Sequence, residues 1–196
     1  MRLGPVMRGM ALAAVGTVLM LATPAASASA PGNGFAARAL SAGLTAAQVR
    51  ALQLEVNVYT GRYGGRQVAI NKVTFAGGSI LLPVPGRNAR VVANVSAGRT
   101  VERVDSTTCP LGAFCAWPNS DYGGARAAFF ACGTDFPNPD LSDNIGSWKN
   151  DQTPQDGTGP RVQMRDQHHN VLFTTAPPWC ANRAFSWFNV FFFRVC

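Results

Sequence analysis

The sequence lacks the short motifs by which the common enzyme classes are recognised. It contains neither G-x-S-x-G nor H-E-x-x-H, and it has no phosphate-binding P-loop. The acid pair Asp140 and Asp143 is a poor candidate for a glycosidase, because carboxylates beside turns usually accept hydrogen bonds from backbone N–H groups. The sequence therefore predicts that the protein is not an enzyme.

Metal-ligating residues are also scarce. The only imidazoles belong to the adjacent His168 and His169, which would point to opposite faces of a strand and which we interpret as turn residues. No C-x-x-C pair occurs, so the five cysteines are not spaced for a zinc site. Cysteines in an exported chain indicate disulfides, and two bridges leave one thiol over.

The sequence has no run of like charge and no basic stripe interleaved with aromatic residues. The 17 Lys and Arg exceed the 10 Asp and Glu, but they are scattered, so no nucleic acid partner is expected. The long apolar run at residues 10–22 is too short to span a membrane. Arg2 and Arg8 precede this run, and two A-x-A sites end at residues 28 and 30, a pattern typical of a secretory signal peptide. We expect a secreted monomer with no membrane contact after cleavage of residues 1–30.

The remaining chain divides into four segments. We expect residues 31–44 to form a flexible lead, an N-terminal segment before the first ordered element, because Gly, Ala and Pro show little periodic pattern there. Residues 45–86 predict a small helix-plus-β-hairpin unit that begins at a capping box, although its residues 54–59 alternate and would equally suit a strand. Residues 87–108 predict a linker. Residues 109–196 contain the cysteines and have the turn spacing of a small antiparallel sandwich.

Three motifs follow one another in this last segment. The first, CPLGAFC at residues 109–115, closes a short ring before a strand. In the second, AWPNSDYGG, the spacing lets Trp117 and Tyr122 stack over a bend while Gly124 adopts a positive φ. In the third, DNIGSWKN, Ser147 is placed to hydrogen-bond back to the bend.

The order of these motifs resembles a βγ-crystallin Greek key and, more narrowly, the secreted bacterial family typified by the Streptomyces metalloproteinase inhibitor. The resemblance covers residues 109–153 and, more loosely, residues 160–190. It implies a mainly β fold. The C-terminal half would be a βγ-crystallin-like sandwich of two Greek keys, preceded by the small helix-plus-β-hairpin unit.

An internal repeat would supply the second Greek key. Residues 182–187, NRAFSW, echo DNIGSW at residues 143–148. The last strand would then alternate, so that Phe188, Val190 and Phe192 face the interior.

The function that the resemblance implies is inhibition of a secreted protease, of the metalloprotease class, by a constrained, substrate-like loop near the second disulfide. Residues 174–181, TTAPPWCA, lie in roughly that place. Two prolines and a tryptophan would make this loop stiff and apolar at its tip. The candidate reactive-loop residues are Pro178, Trp179, Cys180 and Ala181.

For the disulfides we expect a bridge between Cys109 and Cys115. A second bridge is expected from Cys132 to either Cys180 or Cys196, and Cys180 is included among the candidate disulfide cysteines.

An alternative interpretation is a calcium-binding or purely structural module of the same fold. The candidate ligands Asp143, Asn144 and Ser147 carry the oxygen atoms that a hard cation prefers. The echoing segment has Arg183 where a ligand is needed, so a weakly bound calcium ion is the only cofactor that this interpretation allows. A small secreted toxin or a cell-wall-directed protein is the third interpretation, and only the basic charge supports it.

Overall fold

The structure is a computed structural model of the chain. It describes residues 33–86, 91–94, 102–105, 107–138, 145–153, 159–176, 178 and 180–196. None of the helices within these ranges combines the length and the apolar character needed to cross a bilayer.

Two helices precede the strands: α1 spans Asn33–Ser41 and α2 spans Ala46–Tyr63. The predicted capping box is confirmed, because the hydroxyl of Thr45 accepts from the N–H of Gln48 at 3.2 Å and the Gln48 side chain accepts from the N–H of Thr45 at 2.9 Å. The helix α2 runs through residues 54–59, so the strand alternative for that stretch is wrong.

The helix α1 occupies most of the segment for which we expected a flexible lead. Alanine, leucine and arginine favour helix formation, and α1 buries Ala39 in the core, with Leu44 buried just beyond its end. Phe35 packs on the same core and lies 4.8 Å below the guanidinium of Arg38. Tertiary packing of one face therefore makes the segment helical, which the local sequence pattern did not indicate.

The rest of the described chain is mainly β, as predicted. The strands are β1 Arg66–Ala69, β2 Lys72–Phe75, β3 Gly78–Leu81, β4 Val91–Asn94, β5 Glu102–Asp105, β6 Phe114–Trp117, β7 Arg126–Phe129, β8 Asp135–Pro137, β9 Ile145–Asn150, β10 Gln163–Arg165, β11 Val171–Thr174, β12 Cys180–Ser186 and β13 Phe192–Arg194. A seven-stranded antiparallel sheet has the order β1-β2-β3-β7-β6-β9-β12, and a four-stranded antiparallel sheet has the order β11-β10-β13-β8; β4 and β5 pair with each other.

The helix-plus-hairpin segment joins the larger sheet directly. Strand β3 pairs with β7 over four residues, from Gly78 opposite Phe129 to Leu81 opposite Arg126. The buried residues of α2, among them Leu52, belong to the same hydrophobic cluster as Phe114 of β6 and Phe193 of β13. The predicted boundaries of this unit and of the linker stay predictions, but the segment shares its core with the strands that follow.

Two strands are exchanged between the sheets of the sandwich. Strand β8, which lies in the chain between β7 and β9, pairs with β13 in the smaller sheet, while β12 pairs with β9 in the larger one. Rings from both sheets meet in the core: Phe114 and Phe193 are 5.6 Å apart, and Phe129 and Phe136 are 4.9 Å apart. Two interlocked Greek keys would produce such an exchange.

The internal repeat that we proposed from the sequence is wrong in its register. Residues 182–187 belong largely to β12, which is the direct neighbour of β9 rather than its counterpart in the other sheet. The last strand also has the opposite phase, because Phe193 is fully buried while Phe192 is only half-buried and Phe188 is 64 % exposed. Of the three residues expected to face inward, only Val190 is buried.

The disulfides correct one part of the expectation. Cys109 bonds to Cys115 as expected, and Cys132 bonds to Cys196. Cys180 is therefore not a disulfide cysteine but a free thiol.

Candidate functional site

Four buried polar residues cluster at one end of the larger sheet. Asn150, Asp151 and Gln152 lie where β9 ends, Thr175 follows β11, and none of them exposes more than 5 % of its surface. Buried polar groups need hydrogen-bond partners, and here many of the partners are backbone groups of two adjoining loops. We call these four residues the polar base.

The 174–181 loop is closed at its neck by hydrogen bonds. The N–H of Thr175 donates to the carbonyl of Val162 at 2.9 Å, and its hydroxyl accepts from the N–H of Val162 at 3.0 Å. On the other side of the neck, the thiol of Cys180 donates to the carbonyl of Ala176 at 3.3 Å. The bonds to Val162 therefore fix one end of the loop to the sandwich, and the bond from Cys180 joins the two sides of the neck to each other.

Asn150 connects the neck to the larger sheet. Its amide donates to the carbonyl of Pro160 at 3.0 Å and has longer contacts, of 3.5 Å, with the hydroxyl of Thr175 and the carbonyl of Ala176. Its backbone is opposite Cys180 in the pairing of β9 with β12. The fully buried side chain of Asn150 thus contacts the Thr175 side of the loop base, while its backbone pairs with the Cys180 side.

The protonation state of Cys180 suits its place in the neck. Burial is the largest influence and raises the pKa of this thiol above its ordinary value; a backbone hydrogen bond lowers the pKa, the negative charge of Asp151 raises it and Arg161 lowers it, in decreasing order of effect. The thiol form therefore persists at neutral pH, and this is the form that can donate a hydrogen bond to Ala176.

The predicted reactive-loop residues lie at this site. Pro178 and Cys180 are half-buried and Ala181, on β12, is exposed. Trp179 lies outside the described residues. No disulfide closes the loop, because Cys180 is free, so the constraint that we expected from a covalent bridge comes from the neck and the polar base.

The 109–115 ring is a second rigid loop at the same end of the sheet. Within it, the N–H of Ala113 donates to the carbonyl of Pro110 at 3.1 Å. Asp151 holds the ring from outside: its carbonyl accepts from the N–H of Gly112 at 2.8 Å, and its N–H donates to the carbonyl of Ala113 at 2.9 Å. Leu111, at the tip, is 69 % exposed. From the sequence we predict this ring only as the entrance to a strand; the signal for an exposed tip is a leucine beside Pro and Gly within the ring.

The aromatic corner forms as the spacing predicts. The rings of Trp117 and Tyr122 meet edge to face with centroids 5.0 Å apart. Gly124 has φ of +87°, and a side chain there would collide with Pro118. Ser147 is fully buried; its hydroxyl accepts from the N–H of Tyr122 at 2.9 Å.

The backbone of the aromatic corner is strained, and hydrogen bonds with Ser147 hold it in place. Asp121 and Tyr122 have φ of 52° and 62°, in the left-handed region that side chains disfavour. The Ser147 hydroxyl also donates to the carbonyl of Asn119 at 2.8 Å, so it holds both sides of the bend.

The calcium interpretation gains little from the described residues. Asp143 and Asn144 lie outside them, and the hydroxyl of Ser147 is buried and already bonded to the corner. Nearby, an open cleft of about 430 Å³ is lined in part by Lys149, Arg183 and Asp121, so two positive charges outweigh the one carboxylate that could attract a cation. Within the described ranges no three His, Cys, Asp or Glu side chains come together as a metal site.

The two histidines lie at a turn, as interpreted from the sequence. The N–H of His168 donates to the carboxylate of Asp166 at 2.8 Å, and His169 has φ of 63°. The side chain of Asn170, which also donates to Asp166, is the main reason that the pKa of this carboxyl is lowered. The imidazole of His169 contacts the carboxylate of Asp135 at 3.0 Å and stacks on the ring of Phe192.

Comparison with known proteins gives one family match. Residues 102–155, little more than a quarter of the chain, match the sequence model of peptidase inhibitor family I36. This stretch includes the 109–115 ring, the aromatic corner and three residues of the polar base. Neither the comparison with curated proteins nor that with solved structures gives a match.

The match bears on the class of protein. It supports a peptidase inhibitor without enzymatic activity, whose partner is a protease, and together with the two disulfides it suggests an extracellular protein. Residues 102–155 thus support the suspected membership in the Streptomyces metalloproteinase inhibitor family.

Proposed function

We propose that this protein is a secreted inhibitor of metalloproteases that presents its 174–181 loop to the enzyme in a substrate-like way. Support for the inhibitor class comes from the match of residues 102–155. Support for the loop comes from one observation above all: Thr175, fully buried and bonded twice to Val162, fixes one end of the loop.

Rigidity is what a substrate-like inhibitor needs. A loop already held in its bound shape loses little conformational entropy on docking, so a modest contact area is enough for tight binding. After cleavage of a peptide bond within the loop, Thr175 would still hold one new end, and the pairing of β12 with β9 would hold the other. The ends would remain close together, which favours slow release and re-formation of the bond.

The remaining features of the proposal concern export and partners. The basic n-region and apolar run before residue 30 support a signal peptide. We propose that the mature chain acts outside the cell as a monomer, and that it has no nucleic acid or membrane partner.

A peptidase panel tests the proposal. The chain beginning at residue 31 is added to a thermolysin-like metalloprotease, a serine protease and a cysteine protease, and the inhibition constant Ki is measured for each. We expect inhibition of the metalloprotease. A lack of effect on all three enzymes would contradict the inhibitor function, and inhibition of the serine or cysteine enzyme alone would contradict the metalloprotease target.

A pair of proline variants tests the role of the loop. Pro178→Gly loosens the loop, whereas Pro85→Gly makes the same change remote from it, in the turn after β3. Because each exchange adds backbone freedom of about 1 kcal/mol, Pro178→Gly should raise Ki roughly 5-fold and hasten cleavage of the loop, while Pro85→Gly should leave Ki unchanged. Equal Ki values for the two variants would contradict the assignment of the loop.

A further inference from the structure

The 109–115 ring exposes an apolar side chain in an unusual setting. Leu111 is the most exposed of the large hydrophobic residues in the described part of the chain, at 69 %. Single exposed leucines on ordinary surfaces are common and need no explanation. This one is at the tip of a disulfide ring, and the rest of the ring is rigidly held.

The rigidity of the ring has three sources. The bond between Cys109 and Cys115 closes it, and both of these cysteines are buried. The turn across the tip is closed by the hydrogen bond from Ala113 to Pro110. Two further backbone hydrogen bonds, of 2.8 and 2.9 Å, fix the ring to Asp151, which is 5 % exposed. Docking of Leu111 would therefore order almost no additional backbone.

The base of the ring and the base of the 174–181 loop lie close together. Phe114, which ends the tip of the ring and begins β6, is opposite Asn150 of β9, and Asn150 is opposite Cys180 of β12. Because β9 lies directly between β6 and β12, the bases of the two loops are about two strand spacings, or roughly 10 Å, apart. The polar base holds both loops, with Asp151 bonded to the ring and Asn150 in contact with the neck.

We propose that the 109–115 ring is a second inhibitory contact, and that Leu111 enters an apolar subsite of the same peptidase that receives the 174–181 loop. This inference rests on the proposed function. A rigid apolar anchor surrounded by well-packed backbone is the usual form of an energetic hot spot at an interface.

Two observations favour a peptidase as the occupant over a second copy of the chain. The ring lies inside residues 102–155, which match the inhibitor family, whereas the 174–181 loop lies outside them. Without Arg2 and Arg8 of the signal peptide, the formal net charge falls from +7 to +5, and two copies of the mature chain still repel each other at neutral pH.

Substitution of the tip residue tests the inference. Leu111→Asp and Leu111→Met are compared with Leu54→Asp, which changes a leucine of similar exposure, 64 %, on α2. Burial of a leucine at an interface predicts that Leu111→Asp raises Ki roughly 10- to 100-fold, while Leu111→Met and Leu54→Asp stay within twofold of the wild type. Melting temperatures of the variants within about 2 °C of the wild type would confirm that the fold is retained, since all these positions are exposed.

Each outcome separates the two proposals. If Pro178→Gly weakens inhibition but Leu111→Asp does not, the ring is not a contact, while the proposed function stands. If the wild type inhibits no peptidase, both proposals are overturned. If sedimentation shows dimers of the wild type that Leu111→Asp dissociates, the occupant is a second copy and the inference is wrong.

Discussion

The exchange of Thr175 for valine probes the base of the 174–181 loop most directly. Valine keeps the shape of threonine but lacks the hydroxyl that accepts from the N–H of Val162 at 3.0 Å. Both residues are fully buried, so water cannot replace the lost acceptor. The variant therefore leaves a buried N–H without its partner while the packing of the site stays almost unchanged.

The expected cost follows from that orphaned donor. A buried N–H without a partner costs about 1–3 kcal/mol, and for a mature chain of this size each kcal/mol lowers the melting temperature by about 2–4 °C. We expect the free energy of unfolding, measured by urea titration, to fall by about 1–3 kcal/mol with an unchanged m-value. Ki should rise in the same variant, because the neck holds the loop less firmly.

The matched control is Thr175→Ser, which keeps the hydroxyl and removes one methyl group. Loss of a buried methyl group should cost about 1 kcal/mol and leave Ki near the wild-type value. If Thr175→Val is as stable as the wild type, or if serine raises Ki more than valine does, the hydrogen bond to Val162 does not hold the loop and the reasoning is refuted.

Four further results are expected. Gly146→Ala should strongly destabilise the protein, because the added methyl would collide with the indole nitrogen of Trp187. Gly61→Ala in α2, which has open space around it, should instead raise the free energy of unfolding by about 0.5–1 kcal/mol. Equal melting temperatures of the two variants would contradict this. Ser147→Ala removes both hydrogen bonds that hold the strained corner and should lower the free energy of unfolding by about 1–3 kcal/mol, as measured with urea. Alkylation of Cys180 by iodoacetamide should have its midpoint above pH 9.0, the ordinary value, because burial raises the pKa of the thiol. The same raised pKa implies that the Cys180 thiol stabilises the fold below pH 9 and that this stabilisation is lost as the pH rises through the pKa of the folded state. An alkylation midpoint below pH 9 would contradict both the raised pKa and this pH dependence of stability. Melting temperatures in millimolar calcium and in EDTA should be equal, and a rise with calcium would restore the cation interpretation.

Features that depend on neighbouring residues were predictable from the sequence. The capping box at Thr45 joins groups three residues apart, and the disulfide joins Cys109 to Cys115, which are six residues apart in the sequence. The aromatic corner could be predicted because the positions of Trp117 and Tyr122 fix the bend locally. The resemblance of the chain to the inhibitor family followed from the same motifs, and the match over residues 102–155 supports this resemblance.

Features that depend on distant partners were not predictable in the same way. Five cysteines allow several pairings, and only the fold brings Cys132 to Cys196 and leaves Cys180 free. The echo between residues 143–148 and 182–187 looked like a repeat, but strand pairing makes the two segments neighbours in one sheet. On the last strand we predicted that Phe192 faces the interior, but Phe193 is the buried residue. Which side chains of a strand face the core is therefore set by the register of strand pairing and not by composition alone.

The sequence by itself determined the mainly β class, the disulfide ring and the contact between Trp117 and Tyr122, because each of these is encoded by short-range spacing. Only the tertiary structure decided that β6, β9 and β12 lie side by side, and hence that the ring and the 174–181 loop share the polar base. The physical reason is that strand order depends on how residues far apart in the chain bury their apolar faces together, and no local pattern records which strands become neighbours.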